Sequence, residues 1–288
     1  MPNDLMTNKN GVSSTLRLLF IGDIVGKPGR DIVRRALPGL ILGRQLDLIV
    51  ANAENSAGGS GLTPAIYRRL IEAGVDAITL GDHVYRRKEI YSVLRTENNI
   101  VRPANLPEEA VGRQWSTVQA RNGTQVAFFC VLGQLFMKPV DSPYRAAERV
   151  LAEIPSEVRV RFLDFHVEAT SEAQLMGRYL DGKVSAVLGT HTHVPTADEC
   201  ILPQGTAFQC DVGMTGPYAS IIGRRIDRVM ETTLTANPTQ FEVANDGCRL
   251  CGTLVVVDTE TGLATSIERI CVTESDLPEL ELLAAAKS

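Results

Sequence analysis

Short apolar runs alternate along this chain with stretches of helical spacing. Residues 16–21 form a strand-like run that closes on Gly22 and Asp23, after which Ile32, Val33, Ala36, Leu37, Leu40 and Ile41 recur with the period of a helix. Pro28 and Asp31 suit the first turn of that helix. The cadence repeats. Residues 46–53 read as a strand ending in Glu54 and Asn55, residues 57–61 as a glycine-rich loop, residues 63–73 as a helix, and residues 76–80 as a strand ending in Gly81, Asp82 and His83. Further apolar runs cover residues 125–132, residues 158–165 up to His166, and residues 184–189 up to Thr190, His191, Thr192 and His193. Strand followed by helix predicts an α/β fold with a parallel sheet, whose ligands gather at the carboxyl ends of the strands.

The last third changes character. Residues 206–212, 240–244, 252–258 and 264–272 have strand composition with little helix between the last three, and Asn245-Asp246-Gly247 and residues 259–262 are turn signals, so hairpins are expected there. Antiparallel strands are thus added to a parallel core. Residues 1–15 read as a flexible polar leader, 16–272 as a single domain, and 273–288 as a terminal helix or tail.

The 288 residues, 44% hydrophobic and 22% charged, suit a soluble globular protein. A net charge of −5 argues against bulk binding of nucleic acid, which needs a surplus of Lys and Arg, so any phosphorylated substrate must be held locally. The start lacks the apolar core of a secretory signal, and no apolar run reaches membrane-spanning length; a cytoplasmic protein without membrane partners is expected. The six cysteines mostly sit in apolar runs, as reduced core thiols do, and Cys248 and Cys251 have metal or redox spacing but no second pair and no nearby His. The loop 22–29 fails the phosphate-binding P-loop pattern, with Pro28 where Ser or Thr is required. Lys27, Arg30 and Arg102 could hold an anion or could be ordinary surface charges.

What changes the picture is where the histidines fall. The chain has four, His83, His166, His191 and His193, and each follows or closes an apolar run. With Asp23, Glu54, Asn55 and Asp82 they make a set of oxygen and nitrogen donors without thiolate, which suits Mn, Fe, Zn, Co or Ni. There are more donors than one ion needs. Two ions roughly 3.5–4 Å apart sharing a carboxylate would use them all, activating a bridging water for in-line attack at phosphorus; a His that is not a ligand could then protonate the leaving oxygen. Singly, each residue has a plainer reading: Asp23 as a helix cap, Glu54 and Asn55 as a solvated turn, His83 and His166 as core histidines. His191 and His193, two apart on extended chain, would point to one side. Glu168, Asp198 and Asp211 stay outside the site, because ion pairs explain them as well as support of the histidines does.

In order, Gly22-Asp23, Glu54-Asn55, Gly81-Asp82-His83, His166 and Gly189-Thr-His191-Thr-His193 resemble the motifs of calcineurin-like metallophosphoesterases. The chain is closer still to their YmdB-type phosphodiesterase branch: Leu-Phe-Ile-Gly-Asp-Ile-Val-Gly at 19–26, Ala-Glu-Asn at 53–55, Val-Arg-Pro-Ala-Asn at 101–105, Asp-Phe-His-Val-Glu-Ala-Thr-Ser at 164–171, Gly-Thr-His-Thr-His-Val at 189–194 and Asp-Val-Gly-Met-Thr-Gly-Pro at 211–217 carry the resemblance, which covers residues 16–272. It implies a four-layer α/β/β/α metallophosphoesterase sandwich with mixed sheets. It also implies hydrolysis of 2′,3′- or 3′,5′-cyclic nucleotides or related small phosphodiesters at a site of two divalent or trivalent transition-metal ions, iron or manganese first and zinc second. By motif position Asp23 and His193 would bind one ion with Asn55 beside them, Glu54 would bridge, Asp82, His166 and His191 would bind the other, and His83 would be the acid. Val25 stands where the wider superfamily has His, as in the branch. Asp82 stands where the family pattern has Asn, which adds a negative charge and predicts firmer metal retention with weaker Lewis acidity. Alternatives are a phosphomonoesterase or 5′-nucleotidase, or a metal-binding regulatory or RNA-interaction scaffold with little catalysis. An amidohydrolase ranks low, since its His-x-His follows the first strand. The sequence leaves homo-oligomerisation open.

Overall fold

The chain lays down one sheet, then a second, then returns to the first. In the computed structural model, which describes residues 14–286, β1 (Thr15–Ile21), β2 (Leu48–Asn52), β3 (Ala77–Thr79) and β4 (Ile100–Val101) pair in parallel and in sequence order. The second sheet follows: β5 (Trp115–Gln119), β6 (Gln125–Leu132), β7 (Val160–His166), β8 (Ala186–Thr190), β9 (Cys200–Ile201) and β10 (Ala207–Gln209), in the order β5-β6-β7-β8-β10-β9. Its middle strands β6, β7, β8 and β10 are parallel, and β5 and β9 are antiparallel edges. The short β11 (Gly216–Pro217), β12 (Cys248–Asp258) and β13 (Ala264–Thr273) then extend the first sheet beyond β1 with antiparallel pairing. The leader expected at 1–15 lies outside the described residues except for Ser14 and Thr15, the latter opening β1.

Alternation along the strands stacks the layers. Leu16, Leu18 and Phe20 of β1 face Val126 and Phe128 of β6 and Phe162 of β7, with the Phe20 and Phe162 rings 4.8 Å apart. The opposite face of the first sheet, with Leu19, Ile21 and Ile49, packs on Ile32, Val33 and Leu37 of α1 (Gly26–Arg44) and Leu70 of α2 (Pro64–Glu72), with α3 (Tyr91–Thr96) completing that layer. Phe129, Leu163 and Phe165 of the second sheet pack on Ala146 and Val150 of α4 (Pro143–Glu153) and Ala173 and Met176 of α5 (Thr170–Tyr179). This is the expected α/β/β/α sandwich. Each large apolar side chain removed from water here contributes on the order of 1.5–3 kcal/mol, so the two-sided burial of both sheets dominates stability.

One region departs from expectation. Residues 240–244 form no strand; only Val243 bridges, to Arg224. Their composition suits a strand, but β12 has both edges taken, by β13 along one side and by β1 and β11 along the other. The turn at 245–247 therefore leads into β12 without closing a hairpin, and α6 (Ile226–Thr235), with no buried residue, occupies the stretch before it. The other expected hairpin, β12 to β13, forms: Asp258 Oδ1 accepts from the amides of Glu260 (2.9 Å) and Thr261 (2.8 Å) at its turn. The end of the chain takes the helical alternative, as α7 (Leu277–Ala285). No helix among the described residues is long and apolar enough to cross a membrane.

Candidate metal centre

The carboxyl ends of β1, β2, β3, β7 and β8 converge, and Asp23, Glu54, Asn55, Asp82, His83, His166, His191 and His193 lie together across the junction of the two sheets. Apolar runs carry the chain to this edge and leave its last, polar residues there. Close approach then decides what can follow. A side chain at Gly81 would collide with His166 Nε2 and Glu54 Oε2, and one at Gly189 with the Cys210 carbonyl, so glycine is required before each of these His-bearing turns.

The acids are buried. Asp23 is 0% exposed and Glu54 1%. Asp23 Oδ2 accepts from the His191 amide (3.0 Å), and Glu54 Oε2 accepts from the His83 amide (2.9 Å). Asn55 Nδ2 faces three acceptors, Glu54 Oε1 (3.2 Å), His193 Nε2 (3.2 Å) and Asp23 Oδ1 (3.5 Å). That fixes its amide orientation and turns its Oδ1 to His83 Nδ1, 2.8 Å away. Asp82 Oδ1 is buried without a hydrogen-bond partner, 3.6 Å from His166 Nε2 and 3.8 Å from His83 Nδ1.

Three imidazoles share one arrangement. His166 Nδ1 is 2.8 Å from Thr190 Oγ1, whose own proton goes to Asp164 Oδ1 (2.7 Å), so Nδ1 must be a donor and Nε2 is left facing the acids. His193 Nδ1 donates to the Ile222 carbonyl (2.9 Å), and His191 Nε2 faces the Glu168 carboxylate at 3.2 Å. In each ring the outer nitrogen is taken up by an acceptor and the inner nitrogen turns to the acids: His166 Nε2 lies 3.3 Å from Glu54 Oε1, His193 Nε2 3.9 Å from Asp23 Oδ1, and His191 Nδ1 3.0 Å from His166 Nε2. Lone pairs facing carboxylates, and each other, need a cation between them. Saturating the outer nitrogen is how proteins orient a metal-binding imidazole. His83 is different, because Asn55 Oδ1 takes its inner nitrogen as a donor.

Electrostatics agree. Against the effect of burial, the Glu54 and Asp82 carboxylates push His166 well above the ordinary imidazole range, and His166 and His83 hold Glu54 well below the carboxylate range. Burial and neighbouring His166 keep His191 below the usual value, in its neutral ligating form. The donor set therefore attracts positive charge, holding a proton on His166 where a metal ion would take its place, and His191 offers it neutral nitrogen. Three groups bring ligand atoms within 4.8 Å of one another: Asp82, His166 and His191; Asp23, Glu54 and His166; Glu54, Asp82 and His83. These acidic and imidazole groups are able to hold a metal ion.

Some expectations need correction. His191 and His193 do not sit on extended chain: their φ angles are 107° and 65°, and this left-handed, strained turn aims both rings inward. Asp211 holds the turn, accepting from the Thr192 amide (2.8 Å), the Thr192 hydroxyl (2.8 Å) and the Gly213 amide (2.7 Å); burial and the Asp23 carboxylate push it up to about 8. Glu168 also belongs to the surroundings of the histidines, whereas Asp198 accepts from the Cys210 amide (3.2 Å). Asp164 has no role that the sequence pattern assigns. Buried in β7, it accepts from Asn52 Nδ2 (3.0 Å), Thr79 Oγ1 (2.5 Å) and Thr190, tying the two sheets together under the site. An aspartate inside the apolar run Phe162-Leu163-Asp164-Phe165 is the available signal. Arg102 is neither a phosphate ligand nor a surface charge: it is buried, donating to the carbonyls of Pro103 (2.8 Å), Ala110 (3.1 Å) and Pro107 (3.2 Å). Lys27 pairs loosely with Asp31 (3.9 Å), and Arg30 donates to the Ser56 carbonyl.

Residues 19–270 match the YmdB-like protein family. The chain belongs to that family. It is 44% identical over 262 residues to a 2′,3′-cyclic-nucleotide 2′-phosphodiesterase of Bacillus subtilis (strain 168), covering 91% of this chain and 99% of that protein. Among solved structures, a hypothetical protein from Thermus thermophilus superposes with a TM-score of 0.84 at 42% identity, over 90% of this chain and 100% of the other. A phosphatase from Mycoplasma pneumoniae gives 0.84 at 32% identity, over 90% and 94% of the two chains. The YmdB-type resemblance of the motifs is thus borne out across the sandwich.

Proposed function

We propose that this protein is a metal-dependent phosphodiesterase that hydrolyses cyclic nucleotides or related small phosphodiesters. The observation that carries this reading is the shared orientation of His166, His191 and His193, each with its outer nitrogen occupied and its inner nitrogen turned into the cluster, to Glu54 and Asp82 for His166, to Asp23 for His193 and to His166 Nε2 for His191. Asp23 and His193 would hold one transition-metal ion, Asp82, His166 and His191 a second, and Glu54 would reach both; Asn55, placed beside the first ion by its motif, presents its amide nitrogen there and its oxygen to His83, so it would have to turn its amide over to ligate. Such ions, iron or manganese by the family resemblance and zinc second, would supply Lewis acidity toward the phosphate and the attacking water. An acidic protein can in this way hold an anionic substrate without a basic surface. The activity is supported by the Bacillus subtilis relative, which bears the name of a 2′,3′-cyclic-nucleotide 2′-phosphodiesterase.

The chain's own residues do the rest. His83 Nδ1–H is held by Asn55 Oδ1, with Glu54 Oε1 3.2 Å away. Its Nε2 is the ring nitrogen left free to pass a proton to the leaving ribose oxygen. Asp164 and Thr190 hold His166, and Asp211 holds the turn of His191 and His193, so the ring positions are set before substrate arrives.

The test is elemental analysis of the purified protein followed by a panel of cyclic nucleotides and nucleoside monophosphates with Mn and Fe supplied. Bound transition metal and turnover of a cyclic nucleotide are expected. Faster turnover of the monophosphates would make the protein a phosphomonoesterase, and bound metal with no hydrolysis would leave a scaffold. His83→Ala should keep metal content near normal while lowering turnover by roughly 10²–10⁴-fold; if it empties the site, His83 is a ligand.

A further inference from the structure

A cavity of about 310 Å³ opens beside the site on the Asp82 side. Its walls are largely apolar, from Tyr85, Leu106, Leu132, Met137 and Val140, with Arg86 also on the lining, and Asp82 and Lys138 stand where it meets the candidate metal centre, Lys138 Nζ 3.8 Å from Asp82 Oδ2. A larger depression of about 560 Å³ runs along the edge strand β5, but none of the candidate site residues lines it.

The walls are built, not incidental. The Tyr85 hydroxyl donates to the Val111 carbonyl (2.6 Å) and Tyr91 packs edge-on against its ring at 5.3 Å, so the phenol is spent and the ring is fixed. Residues 133–141, which carry Met137, Lys138 and Val140, are clamped at both ends by one side chain: Asn105 Nδ2 donates to the carbonyls of Leu132 (2.8 Å) and Asp141 (2.9 Å), and its Oδ1 accepts from the Leu132 amide (2.8 Å). Glu172 accepts from the amides of Gln134 (3.0 Å) and Leu135 (3.1 Å). Arg102 holds the segment bearing Leu106 through that segment's own carbonyls. The Val-Arg-Pro-Ala-Asn stretch at 101–105 thus serves no metal; it shapes this cavity.

We infer that the cavity receives the nucleoside part of the substrate, the base against Tyr85, Leu106 and Met137, while the phosphate lies at the Asp82 mouth. This rests on the phosphodiesterase reading and adds what the enzyme recognises beyond phosphorus. Three features single out a nucleoside. The volume falls at the lower end of that of small-molecule sites, roughly 300–1,000 Å³. The apolar walls with a fixed aromatic ring suit a flat heterocycle, which carries a π-face whatever its identity. The His83 ring does not line the cavity, but its Nδ1 lies 3.8 Å from Oδ1 of Asp82, which does, so the proton donor adjoins the mouth at which the phosphate would meet the ribose.

The experiment compares 2′,3′-cyclic AMP with base-free ribose 2′,3′-cyclic phosphate on the metal-loaded protein, and titrates adenosine into the metal-free protein by calorimetry. Wild type should prefer the nucleotide in kcat/KM and bind adenosine saturably. Met137→Asp should cut kcat/KM for the nucleotide at least tenfold more than for the base-free ester and weaken adenosine binding at least tenfold; Met137→Leu should behave as wild type. If Met137→Asp lowers the melting temperature, Met137→Ala, which only widens the half-buried wall, replaces it with the same direction of effect. Equal losses on both esters, or no adenosine binding by wild type, overturn the nucleoside subsite and leave the phosphodiesterase standing. A wild type inert on both esters overturns the function itself.

Discussion

The parallel strands of the first sheet have aspartates at both ends, and the two ends treat them oppositely. At the amino ends, Asp47 accepts from the Arg17 amide (2.8 Å), while Asp76 accepts from the Ile49 amide (2.8 Å) and from both terminal nitrogens of Arg121 (2.7 and 3.1 Å). Backbone donors meet both acids and the Arg121 guanidinium matches Asp76, and the strands enter the sheet in register. At the carboxyl ends, Asp23, Glu54 and Asp82 converge with three inward lone pairs, and among the described residues no arginine pairs with them. Apart from the histidines, Lys138, 3.8 Å from Asp82 and largely exposed, is the one cationic side chain among the described residues to approach. Buried acids without matching charge are expensive. The imbalance, more than burial or residue type, marks the carboxyl ends as the place that takes a cation from outside.

The sharpest way to break this contrast is to neutralise one acid at each end. Glu54→Gln should strip metal, as read by elemental analysis, and lower kcat/KM by roughly 10³-fold or more, since Lewis acidity is worth several kcal/mol in the transition state. Asp76→Asn should leave metal and turnover alone and cost about 1 kcal/mol in denaturant unfolding, the worth of a partly exposed pair with its hydrogen bonds. If Asp76→Asn also loses metal, or Glu54→Gln keeps it, charge balance is the wrong criterion. A smaller effect comes from the groups behind the ligands. Thr190→Val should deprive His166 Nδ1 of its acceptor and Asp164 of a donor, and weaken metal affinity by roughly 10–100-fold in a competitive chelator titration. Unchanged affinity would mean that the Asp164–Thr190–His166 chain orients nothing.

What is legible in the sequence follows from this geometry. A strand buried on both faces must be apolar until it leaves the sheet, so the first polar residues after each run lie at its end, and the strand-end location of all eight candidate residues can be read without coordinates. Residues acting from inside the strands are harder to see: Asp164 and Thr190 sit within or beside apolar runs, and their partners are on a neighbouring strand or, for Asn52 and Thr79, in the other sheet. The turn at His191 and His193 escapes the pattern because alternation says nothing of backbone that leaves the extended region. Residues 240–244 mislead because composition reports fitness for a strand, not whether any edge of β12 is free. Arg102 misleads because a guanidinium can be satisfied by carbonyls of its own loop.

The finest test of the contrast lies within the site, at Asp82, where the family pattern has Asn. Its Oδ1 lacks a partner and faces His166 and His83, while Oδ2 faces Lys138. Against burial and the Glu54 charge, His166 holds Asp82 below the ordinary carboxylate range, so it sits in the site as a full anion. Asn keeps a ligating oxygen and removes that charge. Asp82→Asn should therefore release metal faster to a chelator, while turnover of the loaded enzyme rises by a few-fold, on the order of 1 kcal/mol, as the remaining ligands quench the ions less. Both halves of the prediction matter. Faster release without faster turnover would say that Asp82 contributes charge for retention alone, and no change in either would mean that the third acid at this end is balanced by Lys138 after all, as the acids at the other end are by Arg121.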